Sequence, residues 1–269
     1  MSDPASRARS HGPRTSAGRG SRGWSAVIAI LLACASTACE RTERRAHAAV
    51  VFAAASLSGA FEELARAFEA AHPDRHIELH CAGTPQLVVQ LREGAPADLF
   101  ASADEANMQR LTAARSTLGA PRTFARNHLC IVVAHGNPQA VAGLADLRRE
   151  GLRVVLCGPE VPAGRYARQA LGKAGVAVHS LSDEPSVKAV VAKVELGEAD
   201  AGIVYVTDAR AAHERLDLVA IPPEHDVEAR YPLVVLDGSP GRDLAQDFAA
   251  FVLADDGQAI LERWGFTRG

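Results

Sequence analysis

Aromatic side chains are scarce: three Tyr, two Trp and eight Phe make up 5% of the 269 residues. So few rings do not furnish a stacking platform for single-stranded nucleic acid. Long apolar runs are missing as well. One stretch, Trp24–Ala33, is apolar over about ten residues, the length of a signal-peptide core and too short to cross a bilayer as a helix. Beyond the two cysteines near the start, only Cys81, Cys130 and Cys157 occur. None lies in a CxxC or in a Cys/His cluster of zinc spacing, so they read as small buried hydrophobes. There is no G-x-S-x-G turn, no histidine pairs with a serine or cysteine nucleophile, and no internal repeat follows the leader.

What is present supports a sizeable core: 48% of the residues are hydrophobic and 23% charged, the balance of a folded chain. The net charge of −3 hides an asymmetry. Residues 1–47 hold eight arginines and three acids, leaving 21 basic against 29 acidic residues in the body. An acidic body argues against a nucleic-acid partner, and it means that any anion site must be local. Residues 1–47 read as a targeting segment and linker, Arg-dotted and Gly/Ser-rich before the apolar run. LLAC (31–34) and STAC (36–39) are similar to the small-residue-then-cysteine box of bacterial lipoproteins, which makes Cys34 and Cys39 lipidation candidates. An ordinary cleaved secretory signal is the other reading, and either implies export.

From residue 48 onward a unit recurs: a strand-like run, a small polar turn, then a helix. Ala49–Ala54 precedes Ser56 and a helix to about Ala71, with Leu57, Phe61, Leu64 and Phe68 on one face. His76–Cys81 precedes Thr84-Pro85; Asp98–Ala101 precedes Asp104; Val154–Cys157 precedes GPEVPAG; and Ser186 opens a helix containing Val187. Strands are also expected at Asn127–Val133, Ala201–Tyr205, Leu216–Ile221 and Tyr231–Leu236, with a helical tail from Asp243. Such alternation predicts an α/β fold with mostly parallel sheets.

Ser56 and Thr84 are placed as helix N-caps, the latter with proline just inside the helix. A helix N-terminus offers unpaired N–H groups and about half a positive charge. Several converging on one crevice would receive an oxyanion without Lys or Arg. Spacing alone also allows four ordinary caps that never meet, although ligands of open α/β sheets gather at the carboxyl ends of strands, where these starts fall.

VFAAASL (51–57), GAPADLFASAD (94–104), GPEVPAGRYA (158–167), GIVYVTDA (202–209) and DGQAILERWGF (256–266) together resemble the periplasmic molybdate-binding proteins of ABC importers. The resemblance runs from about Ala49 to Phe266. It implies a type II periplasmic-binding-protein fold: two lobes, each a mixed, mostly parallel sheet flanked by helices, joined by two crossover strands that form a hinge. Lobe 1 is expected over 48–128 and 232–269, lobe 2 over 129–231. The family holds a tetrahedral dianion by hydroxyls and backbone amides. By motif these are Ser56, Thr84, the amides of Ala163 and Val187, and Tyr205. Thr84 stands where the family commonly has serine, Pro85 removes one amide, GPEVPAG is one residue shorter than is common, and DEPSV replaces an ADE-like segment.

The implied function is capture of molybdate, and of tungstate, for delivery to an ABC permease. The implied protein is a monomer with no cofactor and no catalysis, in the periplasm or on the outer face of the envelope. Another tetrahedral oxyanion, sulfate or thiosulfate, is the nearest alternative. An enzyme using Ser56 as nucleophile and a sensory domain that signals to a partner are the alternatives of other classes.

Overall fold

The computed structural model describes residues 47–269; the leader with Cys34 and Cys39 lies outside the described residues. In chain order the first part comprises β1 (Ala48–Ala54), α1 (Ser58–Ala71), β2 (His76–Ala82), α2 (Thr84–Arg92), β3 (Leu99–Ala101), α3 (Glu105–Thr112) and β4 (Thr117–Asn127). The middle part comprises β5 (Leu129–Ala134), β6 (Val154–Cys157), α4 (Pro162–Lys173), β7 (Asp183–Glu184), α5 (Val187–Glu195), β8 (Ala201–Tyr205), α6 (Val206–Ala211) and β9 (Leu216–Ala220). The last part comprises β10 (Ala229–Leu236), α7 (Arg242–Leu253), α8 (Asp255–Trp264) and β11 (Thr267–Arg268).

These strands form two sheets, one of six strands in the order β11-β4-β10-β3-β1-β2 and one of five in the order β7-β6-β8-β5-β9. The apolar run of β1 is long enough to be covered on both faces, and the strand is flanked in parallel by β2 and β3. Helix α1 covers one face with Ala60, Phe61, Leu64, Ala65 and Phe68, a stripe at helical period. Phe61 meets Phe124 and Phe248 edge-on, with ring centroids 5.7 and 6.2 Å apart. Burying each such ring contributes about 1.5–3 kcal/mol.

Three expectations are corrected. The sheets are mixed, but not mostly parallel: four strand pairs run parallel and five antiparallel. The cause is the return of β4, β5 and β10 as the chain passes from one sheet to the other and back. β4 went unanticipated, and its Gly119 and Pro121 are residues more typical of turns than of strands. It is a strand with bulges against β10, and Gly119 has φ +78° there. The helical tail is two helices broken at Ala254. Gly257 lets them pack closely, since a Cβ there would lie 2.2 Å from the Phe251 carbonyl oxygen.

The chain crosses between the sheets twice. The first crossing, at His128, is a near-continuous strand from β4 to β5. The second, Ile221–Glu228, is a loop and not the expected strand. The two are pinned together: His128 Nδ1 lies 2.5 Å from Asp226 Oδ2, and Asp226 Oδ1 accepts from the Leu129 amide at 3.3 Å.

Candidate functional site

The carboxyl ends of β1, β2, β3, β6, β7 and β8 face one gap, as open α/β sheets dictate. There the structure brings all five expected residues, Ser56, Thr84, Ala163, Val187 and Tyr205, around one cavity. Its volume is about 10 Å³, far below the roughly 300–1,000 Å³ of sites for drug-sized ligands. Ala54, Ala55 and Ala103 complete much of the wall, and their short side chains leave backbone at the surface. Every side chain lining it is uncharged.

Of the two alternatives for the helix starts, the structure adopts convergence. Helices α2, α4 and α5 all begin at the cavity, although two of the expected caps are corrected. Ser56 sits inside a 3₁₀ turn, Ala55–Leu57, and the residue before α1 is Leu57 without a side-chain cap. The short turn displaces Ser56 by two residues from the helix start. Its hydroxyl is thereby released from capping and lies 3.2 Å from the Tyr231 hydroxyl. Thr84 is the first residue of α2, and Gly83 holds the cap position. A Cβ on Gly83 would lie 2.2 Å from the carbonyl oxygen of Pro185, so the chain needs glycine where the two sheets' loops meet.

Ser186 does cap α5, its Oγ accepting from the Ala189 amide at 3.4 Å. That leaves the Val187 amide among the first-turn N–H groups without a carbonyl partner inside the helix. Helix α4 starts at Pro162 after Val161, and its seat is fixed by Gly164, where a Cβ would lie 2.1 Å from the Gly158 oxygen. The Ala163 amide thus lies at the cavity edge, on a helix whose first turn packs closely against the end of β6 through Gly164.

Tyr205 ends β8 with 1% exposure, and its hydroxyl has no hydrogen-bond partner among the described residues. Burial holds its pKa well above the ordinary tyrosine value, so the group stays protonated and able to donate. A buried hydroxyl left unpaired costs about 1–3 kcal/mol; an acceptor arriving in the cavity removes that cost.

Sequence reasoning missed the groups behind the wall. Asn127 Nδ2 donates to Thr207 Oγ1 at 2.8 Å and lies 3.5 Å from the Tyr231 hydroxyl, which in turn meets Ser56. Tyr231 is fully buried, and burial raises its pKa too. The only hint in the sequence was an aromatic beginning an apolar strand. Lys188 reaches Asp208, with Nζ 3.6 Å from Oδ1. Asp208 is buried, neither carboxylate oxygen has a hydrogen-bond partner among the described residues, and burial pushes its pKa up to about 6 against the opposing pull of Lys188. Cys130 and Cys157 are buried free thiols whose pKa burial raises, as expected of inert packing groups.

Comparison with known proteins places this geometry. The family model for bacterial extracellular solute-binding proteins matches residues 49–267. The molybdate-binding protein ModA of Mycobacterium tuberculosis (strain H37Rv) is 39% identical over 246 residues, covering 90% of this chain and 94% of that protein. Two solved structures share the fold. The periplasmic molybdate-binding protein of Azotobacter vinelandii has a TM-score of 0.70 at 21% identity, covering 82% of this chain and 99% of that one. The sulfate-binding protein SubI of M. tuberculosis has a TM-score of 0.73 at 20% identity, covering 82% and 86%. With a family model spanning the whole described body and a relative at this identity, the chain belongs to the family of bacterial extracellular solute-binding proteins.

Proposed function

We propose that this chain is a receptor for molybdate, and for tungstate, that takes the free dianion outside the cytoplasm and hands it to an ABC permease. The observation that carries this reading is the buried Tyr205 hydroxyl, without a hydrogen-bond partner among the described residues, beside those of Ser56 and Thr84 and three helix starts, in a cavity whose lining side chains are all uncharged. We assign the ligand contacts to the hydroxyls of Ser56, Thr84 and Tyr205 and the amides of Ala163 and Val187. Desolvating a dianion costs several kcal/mol per charge. Hydrogen bonds to a charged acceptor return about 1.5–3 kcal/mol each, so five donors offset much of that cost. The uncharged lining also favours a fully deprotonated oxyanion, whose every oxygen accepts.

The two sheets are the cores of two lobes in this reading, and the crossings at His128 and 221–228 are the hinge about which they close. Binding and release, with no bond made or broken in the ligand, is the whole of the activity, and the receptor works as a monomer. The leader places it in the periplasm or on the outer face of the envelope, with Cys34 or Cys39 as lipid attachment point.

Thermal-shift titration with molybdate, tungstate, sulfate and thiosulfate tests this. A ligand at one hundred times its dissociation constant adds about 2.7 kcal/mol of stability. Molybdate and tungstate are expected to stabilise the chain at micromolar concentrations. Stabilisation by sulfate or thiosulfate with none by molybdate would overturn the assignment.

A further inference from the structure

Two ion pairs bridge the mouth of the cavity, and no ligand contact accounts for them. Asp104 caps α3 from the first sheet's side, its Oδ1 accepting from the Asn107 amide at 2.9 Å and its Oδ2 from Asn107 Nδ2 at 3.3 Å. Although satisfied there and only 1% exposed, it also receives the guanidinium of Arg165 from α4, on the second sheet's side. The second pair joins the same two elements: Arg110 Nη2 on α3 lies 2.8 Å from Glu160 Oε2, just before α4. Asp104 directly follows Ala103, and Arg165 lies two residues after Ala163; both neighbours line the cavity. Any hinge opening that parts Ala103 from Ala163 therefore breaks both pairs.

We propose that Arg165 with Asp104, supported by Arg110 with Glu160, is a clasp that holds the cleft shut over the bound oxyanion and sets its rate of escape. None of the four is assigned a ligand contact; they are positioning residues, and the inference rests on the ligand reading above. Both cap contacts of Asp104 are to Asn107 on its own helix, so the carboxylate is oriented for Arg165 independently of the second sheet. Closure then adds one charge-assisted bond to a group already oriented, so little ordering is required. Contacts made only after encounter act on dissociation and leave association nearly unchanged.

Stopped-flow association and chase-out of molybdate from the full exported chain test this. Arg165→Gln, which keeps helix propensity and length, is expected to raise the dissociation rate about tenfold while the association rate stays within about twofold. Glu160→Arg sets two like charges face to face and is expected to raise dissociation about threefold. The exchange Arg110→Glu with Glu160→Arg is expected to restore it, a rescue that a merely structural role would not give. Small-angle scattering of the ligand-free chain reads the clasp without ligand, Arg165→Gln being the more expanded. Unchanged dissociation in Arg165→Gln, or no rescue by the exchange, overturns the clasp. If the wild type binds neither molybdate nor tungstate, the ligand reading alone fails. The scattering comparison then decides, equal profiles overturning the clasp.

Discussion

The hydroxyls of Ser56 and Tyr231 lie 3.2 Å apart, joining the cavity wall at the end of β1 to the strand that returns from the second crossing. Asn127 approaches the same tyrosine oxygen at 3.5 Å as a donor. Either hydroxyl can donate in this contact. In the arrangement where Tyr231 donates to Ser56, the Ser56 proton is left for the cavity, and the serine is oriented as a donor. Tyr231→Phe is expected to weaken molybdate binding by about 0.5–1.5 kcal/mol, and Ser56→Ala by about 1.5–3 kcal/mol. Calorimetric titration of both and of the double variant checks the link: the double loss should fall short of the sum. Strict additivity would refute the coupling.

Tyr205→Phe separates binding from stability. Among the described residues the phenol has no hydrogen-bond partner, so removing it is expected to take little from the ligand-free fold. Molybdate affinity is expected to fall by about 1.5–3 kcal/mol, while the denaturation midpoint of the ligand-free chain stays at or above wild type. A variant that binds normally, or that loses stability without ligand, contradicts the assigned role.

Those two tyrosines also mark how far the sequence could be read. Tyr205 was found because GIVY carries a family motif and ends an apolar strand. Tyr231 and Asn127 were not, because their partners are 175 and 80 residues away and no local pattern announces such a pairing. Local rules misplaced the caps at Ser56 and Thr84 for a related reason. Cap chemistry was right for either residue, but the 3₁₀ turn shifted the helix start at one, and contact with Pro185 demanded glycine at the other. β4 was not anticipated; its Gly119 and Pro121 carry turn signals that pairing with β10 overrides. Periodicity did recover α1, whose buried stripe is dictated by its own residues.

Gly83→Ala probes the contact between the loops of the two sheets. A methyl there would stand 2.2 Å from the Pro185 oxygen in the closed form. The backbone at Gly83 has φ −57°, which alanine adopts freely, so the substitution strains only the approach of the other loop. Hinge opening relieves the clash without unfolding. Molybdate affinity is expected to fall at least tenfold, on the order of 1.4 kcal/mol or more, with the ligand-free melting temperature unchanged. Equal affinity in a crystal structure with the same loop positions would remove the argument.

Asp208 predicts a dependence on pH. It is buried beside α5 and the second sheet; Lys188 faces it at 3.6 Å, and Tyr231 and the thiols of Cys130 and Cys157 are other titratable groups around it. Its folded pKa of about 6 lies above the ordinary 3.8. Between those values the folded chain keeps a proton that the unfolded chain has lost. Stability from this group therefore rises as pH falls from about 6 toward 3.8, and above pH 6 the buried charge costs about 3 kcal/mol. Asp208→Asn removes the titration. Denaturant unfolding of the ligand-free chain should find the variant gaining on wild type by up to about that amount at pH 7.5. Most of the gain should be gone at pH 4.5, where the wild-type carboxyl is neutral. Lys188 does not confound the comparison, since its half-exposed ammonium regains water when its partner is lost. A variant that shifts stability equally at both pH values would place the Asp208 charge in a well-solvated setting, contrary to its burial.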